Sequence, residues 1–198
     1  MIELERHVAA LAACRSCPSM VGTPVAPPPV VSRIYLVGQA PGPREASLGR
    51  PFAWTAGRTL FSWFATLGVD EATFRERVFM AATCRCFPGK ASSGGDRVPS
   101  AVEIAACSRW RDRELELLEP ELIVPIGRLA ISLFLGDAPL TEAIGAVSRW
   151  QGRDVIALPH PSGVSTWFKR EPGKALTRRA LEHLGAHPTW VRTFTGPA

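Results

Sequence analysis

Four short apolar runs are spaced along the chain, and each is bounded by polar, glycine or proline residues. Runs of this length that are rich in Val, Ile and Leu are typical of strands buried on both faces of a sheet. We predict strands at residues 33–37, 78–83, 122–126 and 154–158.

The segments between these runs carry apolar residues at helical spacing. Ser100 and Glu103 form the S-x-x-E pattern of a capping box, which predicts where one of these helices begins. Strands that alternate with helices indicate an α/β protein whose parallel sheet is covered by helices on both faces. We predict helices over residues 2–14, about 56–67, 100–118, 127–136 and about 174–183.

Length and composition fit one globular domain over residues 1–198. The chain is 46% hydrophobic and 21% charged, which argues against global disorder. No apolar run approaches the roughly 18 residues that a membrane helix needs, and the first residues lack the pattern of a signal peptide. We therefore expect a cytoplasmic monomer with no membrane partner.

The chain carries a net charge of +5, and arginine supplies 20 of its 23 basic residues. Arginine grips phosphate with a planar fork, so this bias suits a protein that binds nucleic acid. The codon bias of a GC-rich genome would produce the same excess, and composition alone leaves both explanations open.

Five cysteines, an odd number, disfavour a disulfide framework and favour a metal site or buried thiols. Cys14 and Cys17 form a C-x-x-C chelate, and Cys86 and Cys107 follow far along the chain. Four thiolates suit either zinc or an iron–sulfur cluster. Spacing alone also allows Cys84 and Cys107 to be small core residues.

Two polar segments follow predicted strands, where the active sites of parallel sheets are found. The first is the glycine-rich loop Gly38–Gly42, followed by Arg50-Pro51-Phe52. The second is His160-Pro161-Ser162-Gly163. Such a loop can hold an anion or a polar ring edge, but it can also be a plain tight turn, and a lone Phe or His is commonly structural.

Taken together, these motifs resemble the iron–sulfur branch of the uracil-DNA glycosylase superfamily, its families 4 and 5. That branch has an N-terminal C-x-x-C, then G-E-A-P-G-x-x-E-D-x-x-G-R-P-F, against GQAPGPREASLGRPF here. Its K-C-R-P-P, N-R-x-P and H-P-S elements are matched in order by Arg85–Pro88, Asp96–Pro99 and His160–Ser162, and a fourth Cys by Cys107. The order is kept over about residues 14–165, most of the chain.

The resemblance implies a three-layer α/β/α sandwich around a four-stranded parallel sheet. It also implies a DNA repair glycosylase that flips a uracil or another deaminated base out of DNA and hydrolyses its N-glycosidic bond. A [4Fe–4S] cluster is expected on Cys14, Cys17, Cys86 and Cys107. A longer tract than usual between Cys86 and Cys107 leaves the third ligand open between Cys84 and Cys86.

The resemblance assigns roles to further residues. Phe52 would stack on the flipped base, and His160 would donate to it as it leaves. The remaining expected base contacts are Gly38, Ala40, Pro41, Gly42 and Ala82. Contacts to DNA are expected from Ser162, Trp167, Lys169 and Arg170.

Two residues depart from the family pattern. Gln39 replaces the glutamate that aligns the water, and a glutamine can orient water but cannot take its proton. Glu45 is the nearest other carboxylate in the loop. Ala82 replaces the asparagine that reads the uracil edge, so uracil specificity is expected to be weaker.

Two alternatives remain beside an active glycosylase. A weakly active or inactive cluster-bearing homologue that only binds DNA would be consistent with Gln39 and Ala82. A zinc-stabilised protein that binds a nucleotide or another anion would use the same four cysteines.

Overall fold

A computed structural model describes residues 1–92, 94–163 and 165–196. Its sheet has five strands in the order β2-β1-β3-β5-β4. Four strands pair in parallel, and β4 pairs antiparallel with β5 at one edge. The strands are β1 Ile34–Gly38, β2 Phe79–Ala82, β3 Leu122–Pro125, β4 Ser148–Trp150 and β5 Arg153–Val155.

Helices connect the strands and follow the last one. They are α1 Ile2–Ala12, α2 Glu45–Leu48, α3 Thr55–Ala65, α4 Glu71–Arg77, α5 Ala101–Leu118, α6 Arg128–Leu135, α7 Leu140–Ala143, α8 Gly173–Ala186 and α9 Pro188–Thr195. Residues Trp167–Lys169 form a short 3₁₀ turn.

The central strand β1 is buried on both faces, which confirms the predicted class. Ile34 and Leu36 pack into one hydrophobic core, while Tyr35 and Val37 pack into a second one. Because successive strand residues point to opposite faces, each core lies on its own side of the sheet. The α/β/α layering therefore follows from one continuous apolar run.

The structure adds elements that the apolar pattern did not predict. Edge strand β4 has three residues, all at least partly exposed, so it lacks a buried run. The fourth predicted strand, 154–158, is regular only to Val155 and continues as single parallel bridges at Ala157 and Leu158. Helix α9 follows α8 after a break at His187, which caps it.

The capping box at the start of α5 is confirmed. Ser100 Oγ accepts a hydrogen bond from the Glu103 amide at 3.4 Å, and a Glu103 carboxylate oxygen accepts one from the Ser100 amide at 2.7 Å. Arg97 donates two further hydrogen bonds to this carboxylate, each 2.7 Å long. Hydrogen bonds from Arg97 and its neighbours hold the pKa of Glu103 well below its usual range.

A buried carboxylate joins three distant parts of the chain. Glu114 on α5 is fully buried and accepts hydrogen bonds from Tyr35 at 2.6 Å and from Arg85 at 2.5 Å. His7 on α1 lies 3.4 Å from its other oxygen. Burial disfavours the charged form of Glu114, but the Arg85 charge and the hydrogen bonds from His7, Arg85 and Tyr35 together outweigh burial and lower the pKa. The network therefore connects α1, β1 and the segment after β2.

No helix within the described residues is both long and apolar enough to cross a membrane.

We predict that Glu114→Ala lowers the free energy of unfolding by about 3–5 kcal/mol, because it leaves the Arg85 charge buried without its partner. Glu116→Ala is the matched control on the same helix, since the Glu116 side chain is 66% exposed and pairs with Arg113. Its effect should stay below about 1 kcal/mol. Urea unfolding measures both variants, and equal losses would contradict the role given to Glu114.

Candidate active site and cysteine cavity

A cavity of about 680 Å³ lies at the carboxyl ends of the parallel strands. The loop after β1 forms its floor, and Ala82 at the end of β2, Ile126 after β3 and His160 after β5 complete that edge. The structure thus brings the two polar segments singled out in the sequence to one place. Loop residues on the cavity are Gly38, Gln39, Ala40, Pro41 and Gly42.

Phe52 covers the floor of the cavity. A Cβ atom added at Gly38 would lie 2.8 Å from Phe52 Cζ, so the ring packs directly on the glycine backbone. The Phe52 backbone has a φ of 52°, an unusual conformation for a non-glycine residue. Its carbonyl accepts a hydrogen bond from Arg75 Nη2 at 3.0 Å, which helps hold this geometry. The Phe52 backbone can take this position only because residue 57 is a glycine. A Cβ atom at Gly57 would lie 1.8 Å from the Phe52 carbonyl oxygen.

Glu45 ties the two ends of the loop together. One oxygen accepts a hydrogen bond from the Gly42 amide at 2.9 Å, and the other accepts one from the Ala53 amide at 3.0 Å. Burial raises the pKa of this carboxyl, and the two amide bonds oppose the rise. Both oxygens of the carboxylate that the sequence offered as a spare acid are therefore engaged with backbone.

Gln39 lies on the cavity and continues the sheet pairing beyond the strands. The main-chain carbonyl of Gln39 accepts a hydrogen bond from the Cys84 amide at 3.0 Å. The Gly38 carbonyl accepts one from the Thr83 amide at 2.8 Å. Ala82 pairs with Gly38 across the strands and contributes a methyl group to the wall. Neither position carries an ionisable side chain.

His160 presents a neutral donor to the cavity. Its Nδ1 accepts a hydrogen bond from the Ser162 amide at 3.2 Å, so the proton of a neutral ring resides on Nε2. Burial lowers the pKa of His160, and the charge of Asp96 opposes that shift. Gly127 makes room for the ring, since a Cβ there would lie 3.0 Å from His160 Cδ2.

Four charged or aromatic residues at the cavity were not singled out as site residues from the sequence. Lys90 and Asp96 come from the Gly/Ser-rich loop before α5 and form an ion pair at 2.6 Å. Trp54 is 46% exposed, and the Arg44 guanidinium lies 4.3 Å from its ring centroid. Only their nearness to the glycosylase-like motifs could have signalled them, because a solvated loop carries the same residue types.

The expected DNA-binding segment falls into two parts. Ser162 lies on the cavity, and Lys169 and Arg170 are exposed. Trp167 is half-buried and packs on Gly173, where an added Cβ would lie 2.7 Å from the indole. This packing favours a structural role for the Trp167 ring.

A second cavity, of about 240 Å³, is lined by four cysteines. They are Cys14, Cys17, Cys86 and Cys107. Two backbone hydrogen bonds hold the N-terminal cysteine loop against the Cys86 segment, from Val21 to Phe87 at 2.8 Å and from Val25 to Arg85 at 2.7 Å. Sequence positions far apart therefore share one cavity.

Among the described residues, the four thiols share a cavity but do not form a site for a single ion. Within residues 1–92, 94–163 and 165–196, no three His, Cys, Asp or Glu side chains are close enough to hold a single metal ion. A zinc ion with Zn–S bonds of about 2.3 Å would draw its sulfurs to within about 4 Å of one another. Four thiols that line one cavity are a donor set that suits either zinc or an iron–sulfur cluster.

Cys84 and Cys86 differ in their surroundings. Cys86 lines the cavity, whereas Cys84 is fully buried and lies against Cys107. The interaction between the two thiols raises the pKa of Cys84 and lowers that of Cys107. The geometry therefore favours Cys86 as a ligand and Cys84 as a thiol that donates to a ligand.

Arg85 gives the cysteine cavity a positive wall. Its side chain is 2% exposed and lines the cavity, yet only Nη2 is hydrogen-bonded. Nε and Nη1 have no partner among the described residues. Unpaired buried donors are costly, so their presence beside four thiols fits a site built for an anionic group.

We predict that the His160 imidazole titrates with a midpoint below 6.5, because burial disfavours its charged form. Asp96→Asn should lower the midpoint further, since it removes a charge that favours the imidazolium. NMR titration of the ring protons measures both. A wild-type midpoint at or above 6.5, or a rise in the variant, would contradict this geometry.

Comparison with known proteins identifies the family of this chain. A sequence model of the Uracil DNA glycosylase superfamily matches residues 26–185. The chain is 34% identical over 174 residues to a type-4 uracil-DNA glycosylase of Saccharolobus solfataricus, covering 82% of this chain and 76% of that protein. A type-4 enzyme of Thermotoga maritima is 29% identical over 164 residues, 81% of this chain and 79% of that protein.

A type-5 uracil-DNA glycosylase of Thermus thermophilus is 30% identical over 173 residues, covering 72% of this chain and 76% of that protein. The fold, the loops that meet at the large cavity and the extent of these matches point the same way. The chain belongs to the uracil-DNA glycosylase superfamily.

Proposed function

We propose that this protein is a DNA repair glycosylase that hydrolyses the N-glycosidic bond of uracil in DNA. The observation that carries the proposal is the large cavity, where an aromatic ring on a glycine floor faces a neutral histidine donor. The relatives named uracil-DNA glycosylase support uracil as the substrate.

Reaction in this cavity requires the nucleotide to leave the duplex stack. The Phe52 ring stacks on the flipped base, and its strained but braced backbone keeps the ring in place before the base arrives. Bond cleavage sends negative charge onto the departing base. Nε2–H of His160 donates a hydrogen bond to that charge, and a neutral imidazole can do so without first being protonated.

The departures from the family pattern set the expected limits. Gln39 holds a water by hydrogen bonds but accepts no proton from it. The Ala82 methyl offers no hydrogen bond to the base edge, so this site discriminates less among bases. Other deaminated bases are therefore second candidates as substrates.

Contacts to DNA are proposed from residues that line the cavity and from exposed cations further along the chain. Lys169 and Arg170 are exposed cations for phosphates, and Ser162 follows His160 by two residues and lies on the cavity. Trp54, with Arg44 against its ring, adds an exposed aromatic surface for a neighbouring base.

The cysteine cavity is proposed to hold a [4Fe–4S] cluster on Cys14, Cys17, Cys86 and Cys107. Bound there, the cluster would supply an iron cross-link between the N-terminal loop, the segment after β2 and α5. Hydrolysis of an N-glycosidic bond transfers no electrons, so the role of these ligands in the reaction is to position the segments they connect. Arg85 offsets negative charge at this site.

We predict that His160→Ala lowers single-turnover release of uracil by at least about 10²-fold, because it removes the donor to the departing base. The measurement counts the abasic sites that the protein forms in single- and double-stranded oligonucleotides containing uracil, hypoxanthine or xanthine. His183→Ala is the control, since His183 is exposed on α8.

Two outcomes would contradict the proposed activity. Wild-type protein that binds DNA but releases none of these bases would favour the inactive homologue. An unchanged rate in His160→Ala would remove His160 from the mechanism.

We predict that Cys86→Ser abolishes iron binding while Cys84→Ser retains it, because Cys86 lines the cavity and Cys84 does not. Iron analysis should give about four irons per chain in wild type, together with absorbance near 400 nm. Colourless protein with one zinc would support the zinc-stabilised alternative. Loss of iron in Cys84→Ser but not in Cys86→Ser would reverse the ligand assignment.

A further inference from the structure

Hydrolysis in the large cavity requires a group that takes a proton from the attacking water, and position 39 is an amide. Two carboxylates line the cavity within the described residues, Glu45 and Asp96. Glu45 is buried, and each of its oxygens accepts a hydrogen bond from a backbone amide. Of the two, only Asp96 has a carboxylate oxygen, Oδ2, that accepts no hydrogen bond from the described residues.

Asp96 is placed beside the residues that the reaction uses. Oδ1 pairs with Lys90 Nζ at 2.6 Å, while Oδ2 lies 3.8 Å from the position that a Cβ atom would take at Gly42. Its charge also acts on the His160 ring. The side chain is 41% exposed, so water reaches it. One carboxylate oxygen is thus fixed by Lys90, and the other faces the floor loop.

The loop that carries Asp96 is anchored at its base. Lys90 and Asp96 form an antiparallel bridge, and the Arg97 amide donates to the Gly89 carbonyl at 2.9 Å. Arg97 Nε donates to the Pro88 carbonyl at 2.8 Å, and its other nitrogens hold Glu103 at the start of α5. A helix terminus therefore fixes the hairpin, so Asp96 does not depend on a free loop for its position.

We propose that Asp96 is the general base of this enzyme and takes over the task that Gln39 cannot perform. In the reaction, a water oxygen bonds to C1′ of the sugar and its proton passes to the Asp96 carboxylate. The bond between C1′ and the base nitrogen breaks, and its electron pair leaves with the base, where His160 donates to the new charge. This inference rests on the proposed glycosylase activity.

The test compares single-turnover excision rates on the base that wild type releases fastest. Asp96→Asn keeps the shape of the side chain and removes the proton acceptor, so the rate should fall about 10²–10⁴-fold. DNA affinity, measured by fluorescence anisotropy, should change less than about threefold. Asp137→Asn is the matched control, because Asp137 is an exposed aspartate after α6.

A second pair of variants separates catalysis from the ion pair. Lys90→Met removes the partner of Asp96. If the carboxylate itself accepts the proton, this variant should lower the excision rate less than Asp96→Asn does. The double variant Gln39→Glu with Asp96→Asn returns a carboxylate to the cavity. Its excision rate should be at least about tenfold higher than that of Asp96→Asn alone.

Each remaining outcome overturns the inference. An unchanged rate in Asp96→Asn shows that another group accepts the proton. Equal losses in Asp96→Asn and Lys90→Met, with no recovery in the double variant, make Asp96 a structural partner of Lys90. Wild-type protein that binds DNA and releases no base overturns the proposed activity together with this role, and is distinguished from the other outcomes by the wild-type assay alone.

Discussion

The buried carboxylate of Glu114 is the interaction on which the rest of the structure depends. A charge at 0% exposure is tolerated only with full hydrogen bonding, and its partners come from α1, β1 and the segment after β2. Meeting that demand fixes α5 against the sheet and draws α1 onto α5. Cys107 on α5, Cys86 beside Arg85 and the cysteines after α1 then meet at one cavity.

Glu103 is a second buried carboxylate on α5 that joins distant segments. It accepts hydrogen bonds from Arg97, which anchors the Asp96 hairpin, and from Ser19 at 2.8 Å, which lies in the N-terminal cysteine loop. Cys107 lies one helical turn further along α5. A single side chain therefore braces one wall of the large cavity and one side of the cysteine cavity.

Local patterns in the sequence predicted much of the fold, because they depend on near neighbours. The apolar run ending at Val37 specified a central strand, and Ser100 with Glu103 specified a helix start, since both signals act over a few residues. Strand β4 and the network of Glu114 left no such signal. His7 and Glu114 are 107 positions apart, and only the folded chain brings them together.

The same limit applies to the site. The glycine loop, Phe52 and His160 could be found because the motifs that carry them are contiguous and resemble a known family. Asp96 opens the segment that matches N-R-x-P, but that motif assigned it no role, and its nearness to Gly42 arises only in the folded hairpin. Whether Glu45 had a free oxygen was likewise decided by the Gly42 and Ala53 amides.

The segment after β2 forms a partition between the two cavities. The Thr83 and Cys84 amides bond to the carbonyls of Gly38 and Gln39, while Arg85 and Cys86 line the cysteine cavity. Four consecutive residues therefore support the floor of the large cavity on one side and line or border the cysteine cavity on the other. A change in the packing of the cysteine cavity would therefore reach the floor loop through this partition, without any substitution at the residues of the large cavity.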